Sequence, residues 1–518
     1  MLWIYWHDRQ SPQSIFNSNK DTFTVLIWFV VLYLMVSISI GLFVATRVKN
    51  TKDYAVAGRH LPLPVVMATV FATWFGAEAV FGIPATFVQE GLGGVVADPF
   101  GSSMCLVIAG IFFSTTLYKL NIITLGDFYR IRYNRTVEVL TTIAIVISYM
   151  GWVAAQIKAL GLIFHLITNG AVSEEAGMIL GTAIVLTYTT VGGMLSVAIL
   201  DFVQMSVIIG GLIYIGYMVS GMTGGIAPVI DHARAAGKLD FFPPADPWMW
   251  VSFLGAWITM MLGSIPQQDV FQRITSAKSA KVALWGSILG ATVYFCFTFV
   301  PMFIAYSATI IDPAFFNGLI DEDSQRVLPM LVMQHMPLAA QVIFFGAVLS
   351  AIMSCSSATL LAPSISFAEN IVRGYLPHLS DKGFLKVMRI CLVGFAGCVL
   401  FYALHSENSI FGMVESAYKV TLAGAFVPLF FGAFWKRATN QGALAAIIFG
   451  ITSWILIEIL IGEDNSLVPP QIIGLGVSTL AMIIGSLLPQ KVGRSQPHDQ
   501  ASYLHMHASH GEHHRHSH

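Results

Sequence analysis

Apolar runs of roughly 20 residues recur along this 518-residue chain, and only helices or closed barrels can carry a backbone through lipid. Of its residues 56% are hydrophobic and 11% charged, well outside soluble globular proteins. The reading is an all-α polytopic membrane protein with about thirteen transmembrane helices. They are expected near residues 22–46, 61–89, 99–118, 137–168, 177–191, 195–220, 248–271, 283–306, 338–363, 388–405, 410–435, 442–462 and 470–489.

Charge fixes the expected orientation. Of the 27 Lys and Arg, twenty fall on one side, among them Arg47 to Arg59, Lys119 to Arg135, Arg273 to Lys281 and Arg373 to Arg389. The other side holds Arg9, Lys20, Arg234, Lys238 and Arg326, while Lys158 and Lys419 lie within helices. Basic loops stay cytoplasmic, so the amino terminus is expected outside and the carboxyl terminus inside, in the plasma (inner) membrane. Residues 1–21 form an external segment, 22–489 the transmembrane domain and 490–518 a disordered tail. No cleavable leader is expected, since the first apolar run is of spanning length. The tail from His498 carries eight of the fifteen histidines, a composition capable of weak transition-metal binding.

Two helices carry defects that a plain anchor would not. Thr69 to Gln89 contains Gly76, Glu78, Gly82 and Pro84; Trp248 to Arg273 is interrupted at Gly263, Ser264, Ile265 and Pro266. Glycine, proline and a mid-membrane carboxylate are all costly in a lipid-facing helix, and broken backbone survives there only where it lines a protein-enclosed cavity. The first break opens a run of five helices and the second opens the next five. Odd-numbered runs have opposite orientation, the sign of an inverted repeat (about 61–220 and 248–435) with discontinuous helices 2 and 7 and a site at the breaks. Helix 3 opens with Asp98 and Pro99. The five cysteines lie in apolar segments without metal-ligand or disulfide spacing.

Several blocks carry a specific resemblance. They are DYAVAGRHLP from Asp53, GGMLSVAILDFVQ from Gly192, QQDVFQRITSAKSAK from Gln267, AIMSCSS from Ala351 and FFGAFWKRATNQGAL from Phe430. The chain resembles the sodium:solute symporter family over roughly helices 1 to 12, and that resemblance implies a leucine-transporter-type fold. It further implies a sodium site of Ala72, Phe75 and Ala351 carbonyls with hydroxyls at Ser354 and at position 355. Here Cys355 replaces the second hydroxyl, and a thiol is a poor ligand for a hard cation. Asp201 matches an acidic position on the family's ion exit route, with Ser357 as a neighbouring hydroxyl. Against sugar carriers the chain departs at Ala79, Met260 and Gly263. The run Ser148 to Trp152 and the IPQQDVFQR block are nearest the choline carriers, which have Trp where Gln267 stands.

The solute-site candidates are Trp74, Glu78, Trp152, Lys158, Trp257, Gln267 and Gln268, with Asp269 beside them. By rise along their helices, Lys158 and Glu78 lie at similar depth and are expected to neutralise each other. Glu415 and Lys419, four residues apart, are expected to pair on one helix face. The function expected is sodium-coupled import of a small organic solute, zwitterionic or cationic, by alternating access. No nucleic-acid partner, organic cofactor or enzymatic chemistry is expected, since no phosphate loop, triad or metal-ligand spacing occurs. Alternatives of the same architecture are proton coupling and a membrane sensor, the latter disfavoured by the short tail; a channel is disfavoured by the paired breaks.

Overall fold

The computed structural model describes residues 12–492, with side chains from residue 21 onward. The histidine-rich tail and the first eleven residues lie outside the described residues. Among the described residues, nine helices are long and apolar enough to cross a bilayer, and up to twelve if each of three bent pairs forms one span. One of the nine, Glu174–Thr223, runs for 50 residues and carries two of the expected helices on either side of a non-helical Gly193 (φ 54°, ψ −143°). Only glycine takes that backbone freely, and a Cβ there would meet the Tyr54 ring and carbonyl at 2.5 Å. Helix starts are set by side chains that satisfy orphan N–H groups: Asn134 accepts from Val137, Ser173 from Ala176 and Ser279 from Val282. The first helix begins at Pro12, inside the segment expected to be external and separate.

Both expected breaks are present. The first broken helix bends by 56° between Leu63–Trp74 and Glu78–Glu90, and the second by 45° between Pro247–Gly263 and Gln268–Ser276. A third bend, 48° between Ile410–Gly424 and Phe426–Phe434, was not foreseen, although Gly424 and Pro428 flank it, because the run from 410 to 435 reads as one span. In the first broken helix the kink falls at Phe75 to Ala77, and Pro84 lies farther along the outer half, just past the wider helical turn Glu78–Gly82. The opening there comes from Gly76, not from the proline.

The outside of the bundle is hydrocarbon: Trp28, Phe401, Ile459 and Leu460 are each more than 65% exposed. The polar side chains go inward, with Glu78, Asp98, Asp201, Asp269 and Arg273 all buried. This inversion is what a bilayer solvent demands.

At the end rich in basic residues the two broken helices are tied together. Leu61 N–H donates to Ser276 O (3.0 Å) and Lys278 N–H to Leu61 O (2.9 Å), an isolated β-bridge between Leu61 and Ala277. Tyr118 donates to Ala277 O (2.9 Å), Gln272 to Ala55 O, and Leu125 N–H to Gln268 Oε1 (2.9 Å). A short helix, Leu125–Arg132, is fixed by a Thr124–Asp127 capping box. Its Arg132 donates to the carbonyls of Gly432, Trp435 and Ala438, closing the end of Phe426–Phe434. At the opposite end a cavity of about 740 Å³ is walled by Glu90, Ala97, Phe253, Phe411 and Glu415.

Candidate transport site

The helix Arg135–Ile167 passes both breaks, and three of its residues spaced three to four apart meet them from one face. Gln156 clamps the first break: its Oε1 accepts from Ala77 N–H (2.8 Å) and its Nε2 donates to Glu78 Oε2 (2.7 Å). Trp152 Nε1 donates to Glu78 Oε1 at 3.3 Å. Tyr149 hydroxyl donates to Asp269 Oδ1 and accepts the Asp269 backbone N–H (2.8 Å) just beyond the second break. One amide, one indole and one phenol thus answer the polar groups that two interrupted helices leave open.

Aromatic rings fill the space between. Trp152 stacks on Tyr149 (5.7 Å, 16°) and lies edge-on to Trp74 (6.2 Å); Tyr418 is 5.7 Å from Trp152. Trp74 Nε1 donates to Asp269 Oδ2 (2.7 Å). On the far side of Trp74 stands Tyr294 (6.4 Å), whose hydroxyl donates to Asp98 Oδ1 (2.6 Å), as does Ser102 (2.6 Å). Three buried carboxylates, Glu78, Asp98 and Asp269, therefore surround one aromatic cluster.

A second polar group lies on the inner side. Asp201 Oδ2 accepts from Thr69 (2.8 Å) while Oδ1 has no hydrogen-bond partner. Arg273 Nε donates to Thr73 Oγ1 (3.0 Å), one Nη to Gln272 Oε1 (3.0 Å), and its other Nη is unpartnered. On the helix Leu338–Asn370, Ser354 Oγ lies 2.8 Å from Ala72 O and 2.9 Å from Ala351 O, and Ser357 Oγ donates to Ser354 O (3.0 Å). Four of the residues expected at the ion site and its exit are thereby brought together, with Phe75 at the kink itself. Cys355 departs from them: its Sγ points at Glu78 Oε1, 4.0 Å away. Gly76 lets the break approach this helix, since a Cβ there would fall 2.5 Å from Cys355 Cβ and 2.6 Å from Gln156 Oε1.

Several expectations require correction. Lys158 does not meet Glu78; its ammonium donates to the carbonyl of Ser406, and Glu78 is satisfied by Gln156 and Trp152 instead. Depth along a helix matched, but Lys158 points to a different face from Gln156 and Trp152. Lys419 likewise turns from Glu415 to Glu463 (2.9 Å), in the turn after the helix Asn440–Leu460, and to Glu458 (3.9 Å) on that helix, so its partners lie outside its own helix. Trp257 stands apart from the breaks, packed against Phe241 and Phe253 with its Nε1 on Met104 Sδ (3.2 Å). Gln268 serves the closure at Leu125. Gln267 stays at the second break, donating to Ser148 Oγ and Thr421 Oγ1 (both 3.2 Å) with Oε1 unpartnered. Sequence reasoning missed Gln156, Tyr149, Asp98 and Tyr294 as site groups and counted Arg273 as a loop charge. Signals were there: Gln156 is one turn beyond Trp152, and Arg273 one turn beyond Asp269.

Comparison with known proteins bears on this arrangement. The family model described as the sodium:solute symporter family matches residues 54–450. The human high affinity choline transporter 1 is 28% identical over 442 residues, covering 82% of this chain and 75% of that protein. The sodium/proline symporter of Haemophilus influenzae (strain ATCC 51907 / DSM 11121 / KW20 / Rd) is 26% identical over 505 residues, covering 92% and 95%. A substrate-bound, outward-open sodium-coupled sialic acid symporter shares the fold with a TM-score of 0.75 at 20% identity, covering 90% of this chain and 98% of that one. A nucleobase-cation-symport-1 family transporter superposes with a TM-score of 0.57 at 13% identity, over 87% and 98%. With a leucine-transporter-like architecture and a family model matched over most of its length, the chain belongs to the sodium:solute symporter family and couples sodium to the passage of a small organic solute across a membrane.

Proposed function

We propose that the solute is a small organic cation, or a zwitterion held by its cationic end, carried inward by alternating access between the two breaks. One observation carries this reading: Glu78, Asp98 and Asp269 meet the polar edges of one aromatic cluster, through Trp152, Tyr294, Trp74 and Tyr149, with Arg273 close to Asp269. Three carboxylates at the edges of one aromatic cluster favour a cation through Coulomb attraction, and the ring faces add their quadrupole. Choline is a cation and proline a zwitterion, so the named relatives fit the same class. Sodium is the coupling ion, and its proposed ligands are the carbonyls of Ala72, Phe75 and Ala351 with Ser354 Oγ. Asp201 and Ser357, on the inner side, form the proposed exit. The amino terminus is placed outside and the carboxyl terminus inside, as loop charge requires.

The test is a thermal-shift screen of purified protein against choline, betaine, proline, sialic acid and glucose, each with and without sodium. Stabilisation by a cation or zwitterion that sodium deepens supports the reading, because a ligand that binds only the folded state raises the melting point. Stabilisation by glucose or sialic acid alone overturns it.

A further inference from the structure

Beside the outer half of the first broken helix is an apolar groove that the transport cycle leaves unused. It has a volume of about 630 Å³, within the ~300–1,000 Å³ of cavities that hold whole small molecules. Its walls are Phe87, Gly216, Val229, Ala233, Val300 and Phe303, drawn from the Glu78–Glu90, Glu174–Thr223 and Ala280–Ile311 helices and the short helix Ile226–Ala235. It opens sideways between Ile213 and Tyr217, which are 53% and 78% exposed. Those residues lie near the same ends of their helices as Glu90, so the mouth faces one leaflet, the outer one in the orientation proposed above.

The bilayer dictates what fills such a space. Water is excluded, because the lining offers few polar atoms and a buried water needs two to four partners. An empty groove forfeits dispersion contacts along its whole wall. Hydrocarbon chains are the solvent at the mouth. The rim adds recognition: Arg234, in an exposed pair with Asp231 (3.4 Å), and Lys238, with one N–H on Gln89 O (2.9 Å) and others left to donate, are two of the five basic residues that loop charge assigns to this side, and Leu239 lines the groove itself. Helix Ile226–Ala235 buries Val229 and Ala233 and turns Asp231 and Arg234 outward, the pattern of a helix lying at the headgroup level. His232 Nδ1 and Tyr306 hydroxyl, 2.6 Å apart, pin that helix over the groove.

We propose that this groove binds one acyl chain of an outer-leaflet phospholipid, with its phosphate at Arg234 and Lys238. Phe87 belongs to the outer half of the broken helix and lies 5.9 Å from the Tyr306 ring, so the chain packs against that half directly. The experiment places the protein in detergent-free nanodiscs of phosphatidylethanolamine and phosphatidylglycerol, whose acyl chains carry a diazirine, and maps the adducts by peptide mass spectrometry after illumination. Adducts concentrate on the segments holding Phe87, Tyr217 and Phe303. G216W, which fills a site where a Cβ has room beside Val300 (3.6 Å), lowers them several-fold; L460W, on the open lipid face, leaves them unchanged. S220W serves in place of Gly216→Trp if that variant does not fold. Labelling no denser there than at Phe401 or Ile459, or labelling that persists in folded G216W and S220W, overturns the proposal.

Discussion

Gln156 shows how much one side chain does in this site. Its amide satisfies Ala77 N–H and Glu78 together, at 2.8 and 2.7 Å, with all three residues buried. Gln156→Leu leaves Ala77 N–H without a partner and Glu78 with Trp152 and the more distant Cys355 thiol, at about 1–3 kcal/mol for each bond lost, so thermal stability falls and solute binding is lost. A Gln156→Leu protein with unchanged melting point and solute affinity would remove the clamp from the mechanism. The proposed ion site gives a paired prediction. Ser354 Oγ lies between two carbonyls, so Ser354→Ala raises the sodium concentration for half-maximal uptake roughly tenfold, equivalent to about 1.4 kcal/mol. Cys355→Ser replaces a soft sulfur with a hard oxygen and lowers that concentration. Uptake titrated against sodium in proteoliposomes decides both, and equal half-saturation in all three proteins would refute the assignment.

At the level of elements, the first broken helix depends on a close approach. Gly76 packs so near the helix Leu338–Asn370 that an added methyl meets Cys355 Cβ at 2.5 Å. Overpacking of this kind costs about 1–3 kcal/mol, so Gly76→Ala destabilises the fold or widens the break. Removing the opposing side chain relieves one of the two clashes, and Gly76→Ala with Cys355→Gly should regain stability that neither single variant has. A double-mutant cycle on thermal unfolding reads the coupling; strictly additive losses would mean that the two positions do not touch.

Across the whole molecule, one end is shut and the other hollow. Leu61, Ser276, Ala277 and Lys278 share backbone hydrogen bonds at the basic end, whereas the 740 Å³ cavity bordered by Glu90 and Glu415 opens at the opposite end. In a background lacking Cys296, Cys391 and Cys398, Thr86→Cys, on the cavity wall, should react with an impermeant thiol reagent from outside in sodium alone. Ser276→Cys, fully buried, should react from inside only once solute is added and the cycle turns. Equal labelling of Ser276→Cys with sodium and with sodium plus solute would contradict this closure. The sequence already foretold both breaks, since glycines, a proline and a carboxylate inside apolar runs have no other use in lipid. It did not foretell the bend between Gly424 and Phe426, because the Gly424 and Pro428 that flank it read as part of one continuous span.

What the sequence by itself determined is whatever depends on composition along one helix, membrane embedding and the broken segments; Ala72, Ala351 and Ser354, which lie together, are singled out through the family resemblance. What only the tertiary structure decided is which groups from different helices face one another. Lys158 and Glu78 share a depth but not a face, and Lys419 finds Glu463, in the turn after the helix Asn440–Leu460, in preference to Glu415 one turn away. Arg273 reads as a cytoplasmic charge and is instead buried between Thr73 and Gln272. The rise per residue gives depth from sequence alone, but the rotation of each helix about its axis is set by packing against its neighbours, and that rotation selects the partner of a buried charge.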